Sequence, residues 1–319
     1  MTTHLSAAVL LSTYNGQYFL RQQLDTILNQ PLRDIILIVR DDGSTDDTLT
    51  ILDERAEKDH RVIVQRGANI GVVASFLALV RSGVEHGAPV LFFADQDDIW
   101  RSDKIGAMVA SLASRDPVRP ALHYSNIRLV DAAGAPLARQ LPSRPVPQFG
   151  QAITQGFAHG CCMAFNLALA RLISDPPPDP RRLVMHDIWT MMVATAFGDV
   201  SRTAERHIDY RQHGRNVVGG RTGLALAAAR ARRILRRKEA IGRFALQARE
   251  FRRMFGDRLA PGHLRVLDRF IQAATGSLPS RMAAVCSRGF SRSGLTEDLL
   301  FRLVLVAGAL RTTRPQGGG

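Results

Sequence analysis

The stretch Leu91-Phe-Phe-Ala-Asp95-Gln-Asp97-Asp98-Ile-Trp100 joins an apolar run to a dense group of carboxylates. The apolar run predicts a buried strand. Three like charges within four positions are unfavourable unless a cation neutralises them, and carboxylate oxygens suit Mg²⁺ and Mn²⁺. Because open α/β sheets bind ligands at the carboxyl ends of their strands, the stretch predicts a metal-assisted site for a phosphorylated substrate. A solvated acidic loop is the alternative.

Strand-like and helix-like patterns alternate on both sides of this stretch, through the first 115 residues. The predicted strands cover 7–12, 34–40, 61–65 and 90–94, and the predicted helices cover 18–29, 45–58, 71–85 and 102–114. This alternation predicts a mostly parallel sheet with helices on both faces. Residues 160–172 predict a short strand that runs into a helix. Residues 44–47 have the pattern of a capping box at the start of the second helix.

Charge is distributed unevenly along the 319-residue chain. Residues 221–319 contain 20 Lys/Arg and 6 Asp/Glu, a net charge of +14, whereas residues 1–220 contain 22 and 23, a net charge of −1. We therefore predict a catalytic domain over 1–220 and a basic, mainly helical region over 221–319 with a disordered tail. Basic segments attract nucleic acid or anionic lipid surfaces, and this one lacks the aromatic motifs of RNA-binding modules.

Composition also narrows the cellular setting. The three cysteines form no C-x-x-C pair, so neither a disulfide framework nor a zinc site is predicted, and a reducing compartment fits best. The chain enters a strand-like run at once, without the pattern of a signal peptide. The apolar segment 299–310 is too short to span a bilayer, and we expect it to lie in a membrane interface or to be buried as a core helix.

Two polar clusters follow the first two predicted strands. Residues 12–16, Ser-Thr-Tyr-Asn-Gly, offer hydroxyls, an amide and an aromatic face before a helix, where a nucleotide can bind; an ordinary βα turn is the alternative. Residues 40–44, Arg-Asp-Asp-Gly-Ser, present two carboxylates that can accept hydrogen bonds from a base or a ribose. The same carboxylates can instead cap a helix.

Two more clusters lie later in the chain. Residues 185–189, Met-His-Asp-Ile-Trp, place Asp187 at the start of a helix-like stretch, where it can act as a general base or compensate the helix dipole. Residues 210–216 bring Arg211, His213 and Arg215 close together in sequence. These groups can contact a diphosphate or a metal, or form a solvated basic loop.

Taken in order, six pieces of the sequence resemble glycosyltransferase family 2, the inverting nucleotide-sugar transferases with a GT-A type fold. The pieces are LLSTYNGQYFLRQQLDTILNQ, IVRDDGSTDDT, FFADQDDIWRSDKI, HGCCMAFN, HDIWTMMVA and YRQHGRN, and they fall within residues 7–220. The D-Q-D-D-I-W and Y-R-Q-H forms are most similar to the bacterial rhamnosyltransferase-like branch. The resemblance implies a mostly parallel central sheet flanked by helices.

The resemblance also implies roles for individual residues in donor binding. The residues implied to bind the donor are Thr13, Tyr14, Asn15, Asp41, Asp42, Asp95 and His213. Within this set Thr13, Tyr14 and Asn15 match positions that line the nucleotide pocket. Asp42 matches the carboxylate that reads the base, and Asp41 lies beside it.

For the metal and the chemical step, the resemblance implies a second set. Asp95 and Asp97 match the DXD motif, with Asp97 as the direct metal ligand. Asp98, acting through water, and His213, near the metal–diphosphate group, are further candidates. Asp187 matches the catalytic base, and His186 precedes it where many relatives carry an acidic residue.

These assignments predict a metal-dependent inverting glycosyltransferase that uses Mg²⁺ or Mn²⁺. The cation stabilises the diphosphate leaving group while Asp187 takes the proton of the acceptor hydroxyl. The expected partners are a nucleotide-diphospho-sugar, with rhamnose as a candidate sugar, a saccharide or lipid-linked acceptor in bacterial surface polysaccharide or glycolipid synthesis, and an anionic membrane. The expected location is the cytoplasm or the cytoplasmic face of the inner membrane. The alternatives are a non-catalytic nucleotide-binding module and a nucleic-acid-binding protein, although no nucleic acid partner is expected.

Overall fold

The computed structural model describes residues 6–141, 144–213, 226–286 and 289–308, with the backbone alone described over 226–237. The described residues form two compact units. The first unit takes its residues from 1–146, 158–177 and 198–219, and the second from 147–157, 178–197 and 220–319. These units differ from the predicted division at residue 220, because 147–157 and 178–197 group with the C-terminal helices.

The first unit is built on a mixed sheet whose strands have the order β3-β2-β1-β4-β7-β6-β8-β5. The strands are β1 Ala7–Thr13, β2 Ile35–Asp41, β3 Val62–Arg66, β4 Val90–Ala94, β5 Ile99–Trp100, β6 Ala121–Val130, β7 Met163–Asn166 and β8 Asp199–Arg211. Strands β1 to β4 are parallel to one another, and β7 is antiparallel to both β4 and β6. Strand β8 is parallel to β6 and antiparallel to the short β5.

The helices of the first unit connect these strands. They are α1 Gln17–Leu28, α2 Thr48–Lys58, α3 Val72–Glu85, α4 Lys104–Ala113 and α6 Leu167–Ser174. Every residue of β4 is buried, and β1 is almost as apolar, so both strands lie in the interior of the sheet. Gly83 allows α3 to pack closely on β4, since a Cβ there would lie 2.5 Å from Leu91 Cδ2.

The alternation predicted from the sequence is confirmed. All four predicted strands and four predicted helices of the first 115 residues are present, and 160–172 contains β7 followed by most of α6. The predicted capping box over 44–47 is wrong. Helix α2 begins at Thr48, whose backbone N–H donates to Asp46 Oδ1 at 3.0 Å, while the Ser44 hydroxyl donates to Asp41. Strands β6 and β8 are not among the predicted elements.

The second unit is helical in the part of the chain that the structure describes. Its helices are α5 Phe149–Ala152, α7 His186–Phe197, α8 Leu226–Phe255, α9 Pro261–Thr275, α10 Leu278–Val285 and α11 Leu295–Ala307. Its core contains an aromatic cluster in which Trp189 meets Phe251 edge-on at 5.3 Å and Phe251 meets Phe255 at 4.9 Å between ring centroids. The helical character that the sequence predicts for the basic region is present in α8.

The apolar segment predicted over 299–310 falls mainly in α11. One face of this helix buries Phe301, Val304 and Leu305, whereas residues 309–310 and the predicted disordered tail lie outside the described residues. Within the described ranges, every helix is too short or too polar to cross a bilayer.

Candidate donor site and catalytic residues

Parallel pairing brings the sequence-predicted donor residues of the first unit to one edge of the sheet. Thr13 and Asp41 are register partners at the ends of β1 and β2, and Leu11 pairs with Ala94 at the end of β4. Asp95 therefore emerges beside the turn that carries Tyr14. The predicted nucleotide residues and the acidic run thus share the carboxyl edge of β2, β1 and β4, where α/β sheets bind ligands.

Asp41 has a structural role in this edge. One of its oxygens accepts hydrogen bonds from the Thr13 hydroxyl, at 3.1 Å, and from the Ser44 hydroxyl. The other accepts from the backbone N–H groups of Gly43, at 3.1 Å, and Ser44, at 2.8 Å. Because a carboxylate offers about four acceptor positions, these four donors leave Asp41 with none for a ligand.

Asp42 is held differently. It forms a buried ion pair with Arg40 and accepts the backbone N–H groups of Ile70, at 2.9 Å, and Gly71, at 2.8 Å. Among the described residues these three donors use about three of its four acceptor positions. The geometry therefore favours Asp42 over Asp41 as the carboxylate that can accept a donor from a base.

The turn after β1 is fixed from two sides. Asn15 has a left-handed backbone, with φ of 48°, and its side-chain oxygen accepts the N–H of Thr45 at 2.9 Å. The Gln96 side chain accepts the N–H of Tyr14 at 2.9 Å and donates to the Tyr14 carbonyl at 3.1 Å. A Cβ at Gly16 would lie 2.3 Å from Gln96 Oε1, so this clasp requires glycine there. The Tyr14 ring remains exposed.

Gln96 was not predicted as a site residue. It separates Asp95 from Asp97, and it locks the predicted nucleotide turn to the acidic run. The sequence signals this role only by placing a polar residue between the two aspartates of the motif.

Within the acidic run the three carboxylates have different surroundings. Asp97 is partly exposed, and its Oδ2 lies 2.8 Å from His213 Nε2. Asp98 is fully buried, and its Oδ1 accepts the N–H of Arg211 at 3.3 Å. Burial, followed by the charge of Asp97, raises the pKa of Asp98 to about 7. Asp95 is partly exposed, and its carbonyl accepts the Gln23 side chain.

Arg211 is a buried clamp rather than part of a solvated loop. Its side chain is 2% exposed and donates to the Asp97 carbonyl at 2.8 Å, the Ala132 carbonyl at 2.6 Å and Gln22 Oε1 at 2.7 Å. Its guanidinium also lies 4.5 Å from the centroid of the Phe19 ring, which is 4.8 Å from the His213 ring. Arg211 therefore supports both members of the Asp97–His213 pair. Arg215, from the same predicted cluster, lies outside the described residues.

The acidic run and its neighbours offer several possible ligands for a divalent cation. Asp95, Asp98 and Cys161 offer ligand atoms within 4.8 Å of one another. A hydrogen bond with Cys162, together with burial, raises the pKa of Cys161 well above its usual value, so the thiol stays protonated and is a poor ligand. The carboxylates of Asp95 and Asp97 suit Mg²⁺ or Mn²⁺, and the imidazole of His213, 2.8 Å from Asp97, favours Mn²⁺ of the two.

Lys104 is a further buried group that the sequence did not reveal. Its Nζ donates to the Cys161 carbonyl at 2.5 Å and lies 3.3 Å from the centroid of the Trp100 ring. Burial lowers the pKa of Lys104 to about 7. The lysine thereby links the segment after the acidic run to the turn that precedes β7.

In the second unit, Asp187 lies in the first turn of α7, as predicted. Its Oδ1 accepts the N–H of Ile188 at 2.6 Å. His186 is buried, and burial lowers its pKa to about 3. His186 is therefore neutral near pH 7 and adds no charge beside the carboxylate.

The central mixed sheet flanked by helices, with the Tyr14 turn and the acidic run at the carboxyl edge of β2, β1 and β4, is the architecture of GT-A type sugar transferases. Residues 8–172 match the sequence model of the family described as "Glycosyl transferase family 2". The chain belongs to glycosyl transferase family 2. The family and the fold type predicted from the six motifs are thereby confirmed, whereas the roles of the individual site residues stay predictions.

Two curated relatives illustrate the similarity. An uncharacterized glycosyltransferase of Nostoc sp. is 29% identical over 226 residues, which cover 66% of each chain. A dTDP-rhamnosyl transferase, RfbG of Shigella flexneri, is 33% identical over 99 residues, which cover 30% of this chain and 34% of that protein. The chain thus spans just under two thirds of the first relative and about one third of the second.

Solved structures share the fold at low identity. Staphylococcus aureus TarS in complex with UDP-GlcNAc has a TM-score of 0.56 and 13% identity, with coverage of 94% of this chain and 79% of that one. The mannosyltransferase PcManGT from Pyrobaculum calidifontis, in complex with GDP-Man and Mn²⁺, has a TM-score of 0.51 and 17% identity, with coverage of 94% and 85%.

Proposed function

We propose that this chain transfers a sugar from a nucleotide-diphospho-sugar to an acceptor hydroxyl with inversion of the anomeric configuration. The observation that carries the proposal is the Asp97–His213 pair, which lies at the end of β4 beside the clasped Tyr14 turn. This arrangement offers a place for a nucleotide and, next to it, ligands for a cation. Rhamnose is the proposed sugar, since the motif forms resemble that branch and RfbG is a dTDP-rhamnosyl transferase.

A divalent cation held by Asp95, Asp97 and His213 would neutralise the diphosphate as it departs. Arg211 fixes the Asp97 backbone, and Phe19 supports His213, so these ligands need little reorganisation. Asp42 has acceptor capacity for a base N–H. The presence of Mn²⁺ with GDP-Man in PcManGT supports this choice of cation.

Asp187 is the proposed general base. It would accept the proton of the acceptor hydroxyl while that oxygen attacks the anomeric carbon from the face opposite the diphosphate. One displacement of this kind inverts the sugar without a covalent intermediate. The assignment rests on the motif resemblance and on the position of Asp187 in the first turn of α7.

A donor panel tests the proposal. The full chain would be mixed with Mn²⁺ and with dTDP-rhamnose, UDP-GlcNAc or GDP-mannose, and both the melting temperature and the release of nucleoside diphosphate would be measured. The true donor should raise the melting temperature by mass action and be hydrolysed slowly, and EDTA should abolish hydrolysis. Equal hydrolysis in EDTA, or no response to any nucleotide-sugar, would contradict the proposal.

We also propose that the second unit docks on an anionic membrane surface that carries a lipid-linked acceptor. Helix α11 exposes a leucine stripe, Leu295, Leu299 and Leu303, with exposed fractions of 93%, 60% and 57% at a spacing of four residues. Residues 221–319 carry a net charge of +14, which attracts anionic lipid and opposes docking of a second copy. The leucine stripe would add an apolar contribution that salt does not screen.

A further inference from the structure

Three side chains of the first unit, away from the acidic run, converge on one point. Glu205 and His207 are two residues apart on β8, so both can lie on the same face of the strand. Asp103 immediately precedes α4 and reaches the same point. One ligand atom from each of the three lies within 4.8 Å of the other two.

His207 makes this group more than a cluster of acids. Its side chain is 2% exposed, whereas those of Asp103 and Glu205 are 58% and 71% exposed. Its Nδ1 lies 3.2 Å from Asp103 Oδ1, and its Nε2 lies 3.3 Å from Glu205 Oε2. Among the described residues Nδ1 has no partner with hydrogen-bond geometry. A buried polar nitrogen left in this state is costly, and a bound ion would satisfy it.

We infer that Asp103, Glu205 and His207 form a second metal site, for a divalent transition ion of the Zn²⁺ type. One imidazole nitrogen and two carboxylates are a ligand set that Zn²⁺ accepts, with water completing the coordination. An imidazole ligand disfavours Mg²⁺ and Ca²⁺. An ion on His207 Nδ1 would be reached by Asp103, whose Oδ1 lies 3.2 Å from that nitrogen, and Glu205 would swing round from the Nε2 edge of the ring, which its exposure permits.

The position of this site gives the ion a structural role. The N–H of Arg101 donates to the His207 carbonyl at 3.0 Å, and Trp100 pairs with Ile208 where β5 meets β8. Going back along the chain from β5 leads to Asp97, and going forward along β8 leads to Arg211 and His213. An ion between the start of α4 and β8 therefore cross-links the two segments that form the Asp97–His213 pair.

Zinc titration of the full chain tests the site, with the donor-site ligand removed so that the two sites are not confused. In an Asp97→Asn background, isothermal titration with Zn²⁺ should still show a saturable site, and Zn²⁺ should raise the melting temperature by mass action. Adding His207→Gln or Glu205→Gln should weaken that binding at least tenfold and remove the thermal shift. Adding Glu85→Gln, an exposed carboxylate on α3, should change neither.

The Glu205 variant keeps the test decisive if replacement of the buried histidine prevents folding, because Glu205 is largely exposed. The site would be overturned if both double variants bound Zn²⁺ as tightly as Asp97→Asn alone. It would also be overturned if Asp97→Asn bound no Zn²⁺. Neither result bears on sugar transfer, which is measured with the donor panel on the unmodified chain.

Discussion

Replacing Arg211 by lysine should damage the first unit more than any exposed Arg-to-Lys change. Arg211 is 2% exposed and donates to three acceptors on other segments, the carbonyls of Asp97 and Ala132 and the Gln22 side chain. Lysine keeps the charge but lacks the planar fork, so it can reach one of these acceptors well. Because the two acceptors that lysine leaves are partly exposed and can be hydrated, each lost hydrogen bond costs about 0.5 to 1.5 kcal/mol, and we expect the free energy of unfolding to fall by about 1 to 3 kcal/mol.

Tryptophan fluorescence can report on the first unit alone. The chain contains two tryptophans, Trp100 in the first unit and Trp189 in the second. In a Trp189→Phe background, urea unfolding followed at Trp100 gives the stability of the unit that contains Arg211. Arg206→Lys is the matched control, since Arg206 lies exposed on the same strand and should shift the midpoint little.

Cation binding gives a second readout. Because Arg211 holds the Asp97 backbone and supports His213 through Phe19, its replacement should weaken Mn²⁺ binding about tenfold, equivalent to about 1.4 kcal/mol. Mn²⁺ affinity can be measured by titration at a temperature where the variant is folded. If Arg211→Lys had the same free energy of unfolding and the same Mn²⁺ affinity as Arg206→Lys, the proposed clamping role of Arg211 would be refuted.

Four further changes probe the site and the second unit. Asp97→Asn should lower transfer about a hundredfold or more with the fold intact, and unchanged turnover would exclude Asp97 as the metal ligand. Asp187→Asn should lower turnover by about 10² to 10⁴ while the donor dissociation constant stays constant; a parallel rise in that constant would place Asp187 in donor binding instead. Burial lowers the pKa of His123 to about 4, so the folded state binds this proton less tightly than the unfolded chain. The contribution of neutral His123 to the free energy of unfolding is complete above pH 6.5 and is lost as the pH falls toward 4, with a loss of at most about 2 kcal/mol at pH 5. In urea unfolding, the His123→Asn variant should lack this part of the pH dependence. Serine at all three positions of the leucine stripe should remove the salt-resistant part of cosedimentation with anionic vesicles, and equal recovery with neutral vesicles would contradict docking by charge.

Part of the site could be read from single residues. The acidic run at the end of β4 could be recognised from the sequence because three carboxylates so close together need a cation or an exposed loop. The role of Asp41 could not be read in the same way, since whether a carboxylate is saturated depends on donors such as Thr13 and Gly43. Gln96 and Lys104 were missed because their partners lie 82 and 57 positions away in the sequence.

The sequence by itself determined the alternating strands and helices of the first 115 residues, because each strand there is an apolar run with turn residues at its ends. It also determined the family, since the motifs occur in order along the chain. Only the tertiary structure decided that β6 and β8 are strands, because their burial comes from pairing with each other and their sequences mix charged and apolar residues. The same pairing buried Arg211 against the acidic run and brought His207 to Asp103, since contacts between residues about a hundred positions apart depend on strand order and register, which no local pattern encodes.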